Sequence, residues 1–165
     1  LLLVEVTGKD EAKKKWILAQ RVASEALRLQ QQGQPVVGVV VNRVDTARLV
    51  MRALRTQAQP ADCVLVTGRM RPIDRDHVVE SKLLPRAGAG RNRASAHPLI
   101  VVATQCIEAG ADLDFDALVT ECASLDALRQ RFGRVDRRGE LGRSSSCIVA
   151  RSDDVAADAE DPVYG

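Results

Sequence analysis

Ten residues, Gln130 to Gly139, place four arginines and two glycines within about three helical turns. A guanidinium stays charged and offers a planar fork of donors that suits phosphate oxygens. On a helix that begins at Ser124, Arg131, Arg134 and Arg138 fall within about 60° of one another. The spacing therefore predicts an anion-binding group of arginines, and the alternative is a solvated basic helix.

The same helix predicts an apolar face beside the arginines. Leu125, Leu128, Phe132 and Val135 fall within about 80° of one another, so we expect them to enter a core and hold the guanidiniums in place. Gly133 has no Cβ, which allows a backbone or a ligand to approach closely.

Short apolar runs alternate with helical patterns along the chain, which predicts an α/β fold. Runs such as VVGVVV at 36–41 are apolar without interruption, as in strands buried on both faces, and favour an open, mainly parallel sheet with helices on both faces. Strands are predicted at 1–6, 36–41, 63–66, 99–103, 117–121 and 147–150. Helices are predicted at 10–32, 45–57, 72–84 and 124–138.

Residues at the predicted helix ends support these boundaries. Asp45 and Ser124 are suitable N-caps, Gly33 and Gly139 suitable helix stops, and Pro72 suits a first helical turn.

Ligands of such sheets bind beyond the carboxyl ends of the strands. The polar segments that follow three strands, 42–46, 67–76 and 104–116, should share that edge, and the arginine-rich helix should begin near it. The segment 85–98 has no periodicity, so we expect a mobile basic loop. Its arginines contact a ligand or lie in a disordered loop without a partner.

Composition indicates one soluble domain. At 165 residues the chain can bury a core, and its net charge is only +2. We expect residues 1–151 to form the domain and residues 152–165, which are rich in Asp and Glu, to be an acidic tail or linker. The four cysteines lack CxxC spacing and suit reduced thiols in a cytoplasmic protein. Neither a membrane span nor a signal peptide nor a metal-ligand pattern is visible.

Four segments in order resemble motifs of superfamily 2 helicases, in the second of their two RecA-like domains. VVVNRVDTARLV at 39–50 resembles motif IV, LVTGRMRPIDRD at 65–76 the segment after it, ATQCIEAGADLDFD at 103–116 motif V, and QRFGRVDRR at 130–138 motif VI. Glu108, the Asp112, Asp114 and Asp116 series, the GRMRPIDRD segment and the basic helix are together most similar to the CRISPR-associated helicase-nuclease of type I systems. Gly110 and Ala111 depart from the more polar version of motif V, which leaves a divergent subtype or another DEAH-type DNA or RNA helicase as alternatives.

The resemblance implies an ATP site completed by this domain. Arg134 and Arg137 match the two motif VI arginines that reach the γ-phosphate across the cleft between the domains, and Gln130 matches the glutamine placed near that phosphate or the attacking water. Asp112 matches the acid near the ribose, although holding a motif VI arginine within the domain is an equal alternative. Gly110 would let the backbone approach the nucleotide.

The resemblance also implies a path for single-stranded nucleic acid. Thr104 matches the motif V threonine that contacts a phosphate. Asn42, Arg43, Gly68 and Arg69 match upstream positions along that path. Because aromatic platforms are nearly absent, we expect binding through the backbone and salt-sensitive charges.

No GxxxxGK[ST] loop is present in the sequence, and the DEAK at 10–13 opens a lysine-rich helix. The chain therefore resembles half of an ATP-dependent helicase or translocase that acts on single-stranded DNA in CRISPR interference. The implied cofactors are ATP and Mg²⁺ in the intact two-domain protein, with none bound to this fragment alone, which we expect to be inactive. The implied partners are the first RecA-like domain, single-stranded DNA and a CRISPR RNA-guided surveillance complex. The alternative from another class is a non-catalytic nucleic-acid or partner-binding module.

Overall fold

The computed structural model describes residues 2–5, 10–56, 62–107 and 112–152. Its centre is a six-stranded sheet in the order β1-β6-β5-β2-β4-β3, in which every neighbouring pair is parallel. This confirms the predicted open α/β architecture. The strands are β1 Leu2–Val4, β2 Val36–Val40, β3 Cys63–Val66, β4 Leu99–Ala103, β5 Ala117–Glu121 and β6 Ser145–Arg151.

Helices cover both faces of the sheet. On one face, α1 (Glu11–Gln31) and α2 (Val44–Arg55) pack on alternate residues of the central strands, Val37 and Val39 among them. On the other face lie α3 (Pro72–Val78), a π-helical turn (Val79–Leu83) and α4 (Leu84–Ala87), together with the buried side chains of Ile107, Leu113 and Phe115. The last helix, α5 (Leu125–Phe132), reaches β5 through the contact between Arg131 and Thr120. The central strands β2 and β4 are buried along their whole length, as their uninterrupted apolar runs require.

Most predicted helix boundaries agree with the structure to within two residues. Gly33 follows α1 with φ +88°, and Ser124 caps α5 by accepting a hydrogen bond from the Ala127 amide at 3.3 Å. Pro72 lies in the first turn of α3, as predicted. The N-cap prediction for Asp45 is wrong, because α2 begins one residue earlier and Arg43 occupies the cap position.

The last predicted helix is much shorter than its pattern suggested. It ends at Phe132, and Asp136 and Gly139 then have φ values of +45° and +65°. The backbone of this turn pairs instead with motif V: the Phe115 amide donates to the Arg134 carbonyl at 2.7 Å, and the Asp136 amide donates to the Phe115 carbonyl at 3.0 Å. Tertiary hydrogen bonds have replaced the helix that the arginine spacing favoured.

Ending the helix there also changes its apolar face. Leu128 is buried and Val135 packs against the core, as predicted. Leu125 and Phe132 are 79% and 36% exposed, so their prediction as core residues is wrong.

The segment 85–98 is ordered, so the prediction of a mobile loop is also wrong. It comprises most of α4, a bridge between Gly88 and Leu113, a turn and a short 3₁₀ helix at Arg93–Ser95. The predicted acidic tail lies outside the described residues from 153 onward. None of the described helices has the length and apolar character needed to span a membrane.

Candidate functional site

The turn that follows α5 carries the two arginines expected to meet a phosphate. Arg137 is exposed and its guanidinium pairs with the carboxylate of Asp112. Its backbone amide donates to Asp114 Oδ1 at 3.0 Å, which fixes the start of the side chain against motif V. Motifs V and VI, about 20 residues apart in the sequence, therefore form one unit.

Arg134 lies beside this ion pair and is partly buried. Burial lowers the pKa of its guanidinium, the nearby charge of Arg137 lowers it further, and the Asp112 carboxylate opposes both. Two guanidiniums thus lie near one another and near the exposed Asp112 carboxylate, and two positive charges close together favour the binding of an anion. The pairing of Asp112 with Arg137 fits the alternative that this acid holds a motif VI arginine.

The structure gives less information about two other residues proposed for the nucleotide site, Gln130 and Gly110. Gln130 is exposed on the last turn of α5. Gly110 lies outside the described residues, and its expected approach to a nucleotide stays a prediction.

Arg131 does not belong to the anion-binding group that the helix pattern predicted. It is 1% exposed. Its guanidinium donates to Thr120 Oγ1 at 2.9 Å, to the Glu121 carbonyl at 3.1 Å and to Asn42 Oδ1 at 3.0 Å. A buried guanidinium needs such acceptors, and here they tie α5 to the ends of β5 and β2.

The residues proposed for a nucleic-acid path meet at the carboxyl edge of the sheet, as parallel pairing requires. Thr104 is buried, and its Oγ1 accepts a long hydrogen bond, 3.4 Å, from the Gly68 amide. This contact joins the loops that follow β4 and β3. Arg43 and Arg69 are exposed beside those loops and are available to phosphates.

Asn42 is less available than the other members of that group. Its side chain accepts from Arg131 and donates to the Cys122 carbonyl at 2.7 Å, while its amide donates to Glu121 Oε2 at 2.8 Å. A role for Asn42 in strand binding stays a prediction. Its hydrogen bonds show a structural role, because they join the end of β2 to the end of β5.

An ionic cluster that the sequence did not predict lies under motifs V and VI. Arg91 and Arg93, from the supposed mobile loop, pair with the buried carboxylates of Asp114 and Asp116. The available signal was the spacing of Asp112, Asp114 and Asp116, because an extended segment places residues two apart on the same face. In the structure Asp114 and Asp116 are buried, whereas Asp112 is exposed. Like-charged neighbours that are buried require cations from elsewhere in the chain.

Comparison with known proteins identifies relatives of this arrangement. The family model for the C-terminal region of the CRISPR-associated nuclease/helicase Cas3 matches residues 33–140. The curated CRISPR-associated nuclease/helicase Cas3 of Methanothermobacter thermautotrophicus is 31% identical over 118 residues, covering 71% of this chain and 13% of that protein.

Solved structures agree in fold. Cas3 from T. fusca in its ADP form superposes with a TM-score of 0.73 at 24% identity, covering 92% of this chain and 18% of that one. A chain of a CRISPR RNA-guided surveillance complex before nicking superposes with a TM-score of 0.66 at 22% identity, covering 90% and 18%. The fold is therefore RecA-like, and the chain spans less than a fifth of the length of each of these relatives.

Proposed function

Because the chain belongs to the family of C-terminal regions of the CRISPR-associated nuclease/helicase Cas3, we propose that it is the second RecA-like half of an ATP-dependent helicase or translocase. In the intact protein it supplies Arg134 and Arg137 to a nucleotide held by the first half, and it carries part of a single-stranded DNA path. The reaction is ATP hydrolysis coupled to movement along the strand during CRISPR interference.

The observation that carries the proposal is the geometry of Arg134, Arg137 and Asp112. Arg137 pairs with the exposed Asp112 carboxylate, and Arg134 lies close enough for the charges of both to act on it, on a turn fixed by backbone hydrogen bonds to motif V. Phosphoryl transfer depends on cations placed where negative charge develops on the γ-phosphate oxygens, and an arginine finger contributes about 10³ to 10⁵ in rate. With ATP bound, Arg137 would hold the γ-phosphate oxygens in place of the Asp112 carboxylate and would stabilise the charge that develops on them.

The strand path occupies a different part of the domain. Arg43, Arg69 and the loop joined by Thr104 and Gly68 lie at the carboxyl edge of the sheet. They offer guanidiniums and backbone amides to phosphates, without contacts that would discriminate between bases. One solved relative is Cas3 in its ADP form, and another belongs to a CRISPR RNA-guided surveillance complex. ATP and such a complex are therefore the cofactor and partner to test first.

The test uses the intact protein that contains both RecA-like halves. Arg134→Ala and Arg137→Ala should each lower the kcat of DNA-stimulated ATP hydrolysis by about 10³-fold or more, because each removes charge stabilisation from the transition state. Affinity for single-stranded DNA, measured by fluorescence anisotropy, should change less than about threefold.

Arg129→Ala is the matched control, since Arg129 is exposed on α5, the helix that precedes the turn, and has no proposed role. It should keep normal turnover. Normal ATP hydrolysis in the Arg134 and Arg137 variants would overturn the assignment, and an equal loss of DNA affinity would favour a nucleic-acid binding module.

A further inference from the structure

Asp114 connects the backbone of Arg137 to a side chain from a distant segment. One carboxylate oxygen, Oδ1, accepts from the Arg137 amide at 3.0 Å, while the other, Oδ2, accepts from Arg93 Nη2 at 2.6 Å. The Asp114 side chain is 1% exposed. Both of its acceptors are thus committed inside the protein, and Arg93 neutralises a charge that burial would otherwise make costly.

Arg93 also contacts Asp136, the residue directly before Arg137 in the same turn. Its Nη2 lies 3.5 Å from Asp136 Oδ1, and Asp136 is the residue with φ +45° between the two proposed fingers. The Asp136 carboxylate also accepts from the amides of Glu140 and Leu141 at 2.9 and 3.1 Å. These bonds hold the left-handed conformation that an aspartate adopts more readily than most residues.

The remaining donors of Arg93 also form hydrogen bonds, which hold the guanidinium in one position. Nη1 bonds to Asp116, whose other oxygen accepts from the Val36 amide at 2.9 Å at the start of β2, and Nε bonds to Glu140 Oε2 at 3.2 Å. The chain of contacts therefore runs from the rigid sheet, through Asp116 and Arg93, to Asp114 and Asp136 in the two motifs.

We propose that Arg93 is a positioning residue for the finger arginines: through Asp114 and Asp136 it sets the backbone of the turn from which Arg134 and Arg137 reach the γ-phosphate. The proposal rests on the function proposed above and adds a residue outside the helicase motifs. Arginine is required because one planar guanidinium bonds four separate carboxylates in different directions, which a lysine ammonium cannot reproduce in the same geometry.

The turn must be held rigidly because the rate of phosphoryl transfer depends strongly on the position of the catalytic arginines. A displacement of about 1 Å in a catalytic group costs about 10²-fold in rate, even when its cause lies away from the chemistry. Beyond α5 the turn keeps a few local backbone hydrogen bonds, such as that from the Arg134 amide to the Arg131 carbonyl at 3.0 Å, and tertiary contacts supply the rest of its rigidity. Here the side-chain contacts converge on Arg93.

The experiment compares Arg93→Gln, Arg93→Lys and Arg91→Gln in the intact protein, with kcat and KM for ATP, strand affinity and Tm measured for each. Arg91 is the matched control because it lies in the same segment and its guanidinium pairs with Asp116 at 2.5 Å. Its hydrogen bond to Asp114 goes to the main-chain carbonyl, whereas Arg93 bonds the carboxylate that also holds the Arg137 amide. We expect Arg93→Gln to lower kcat by about 10²-fold with the KM for ATP and strand affinity within about twofold, and Arg93→Lys to recover about tenfold of that loss.

Arg91→Gln should lower Tm at least as much as Arg93→Gln while leaving kcat within about threefold, because it removes a buried ion pair but not the link to Arg137. Loss of kcat in proportion to loss of Tm across all three variants would make Arg93 merely structural and overturn the proposal. Suppose that Arg137→Ala abolishes turnover but the folded Arg93→Lys and Arg93→Gln variants keep full kcat. The positioning role of Arg93 is then wrong, and the finger assignment stands. If Arg137→Ala hydrolyses ATP normally, the finger assignment itself is wrong.

Discussion

At the scale of single residues, arginines of identical chemistry serve opposite purposes because their surroundings differ. Arg131 is buried and bonds three acceptors of its own domain, whereas Arg137 is exposed and pairs with one exposed carboxylate. Guanidinium cannot lose its proton to escape burial, so a buried arginine needs a full set of acceptors. Helical spacing alone placed Arg131 with Arg134, and only the tertiary contacts separate them.

Replacing Arg131 should therefore affect stability and not chemistry. Arg131→Met leaves Thr120, Asn42 and the Glu121 carbonyl without their donor, which should lower the free energy of unfolding by about 3 kcal/mol. Urea unfolding of the chain followed by circular dichroism measures this loss. Arg129→Met, two residues away on the exposed side of α5, should change stability by less than about 0.5 kcal/mol. Equal effects of the two substitutions would contradict the buried role.

The four cysteines should differ sharply in reactivity. Burial raises the pKa of the Cys63 thiol to about 11, with the Asp62 carboxylate adding to the effect, and burial likewise raises the pKa of Cys147. Thiolate is the reactive form, so both should be alkylated slowly at pH 8, while exposed Cys122 should react first. Timed iodoacetamide labelling with peptide mass spectrometry gives the order, and labelling of Cys63 before Cys122 would contradict it.

At the scale of elements, the sequence predicted the strands better than the helix ends. Uninterrupted apolar runs such as Val36–Val40 and Leu99–Ala103 can only be buried on both faces, so their position and parallel pairing followed directly. The end of α5 depends on hydrogen bonds between Phe115 and the 134–136 turn, whose partners lie about 20 residues apart. Local propensity contains no information about such pairing.

Gly38 in β2 permits the close approach of motif V to the sheet. A Cβ built on Gly38 would lie 2.7 Å from the ring of Phe115, which is fully buried. Gly38→Ala should lower the free energy of unfolding by about 1–3 kcal/mol, because the ring must shift within a packed core. Gly90→Ala is the control, since a Cβ there meets nothing within 4 Å. Urea titrations that give the two variants equal midpoints would refute this packing.

At the scale of the whole molecule, the fold places the two proposed activities apart. The sequence placed the loops after the strands at one edge, and the parallel sheet confirms that for Arg43, Gly68, Arg69 and Thr104. It could not predict that the segment 85–98 closes beneath motifs V and VI, because the acids that bond Arg93 lie 21 to 47 residues away in the chain. Long-range charge pairing was the part of the site that no local pattern encoded.

This separation predicts that, in the intact protein, substitutions at one site change DNA affinity alone and substitutions at the other change ATP turnover alone. Arg43→Ala and Arg69→Ala remove exposed cations at the carboxyl edge, so each should weaken binding of single-stranded DNA equally for all sequences. For single strands, each lost phosphate contact should reduce the slope of log affinity against log salt by about 0.7. Anisotropy titrations between 50 and 200 mM salt, a range in which about 10³-fold changes are typical, measure that slope. At saturating DNA these variants should recover normal kcat, whereas Arg134→Ala should keep the normal slope and lose turnover, since it acts on the phosphate of ATP. Loss of both properties in every variant would mean that the domain works as one undivided surface.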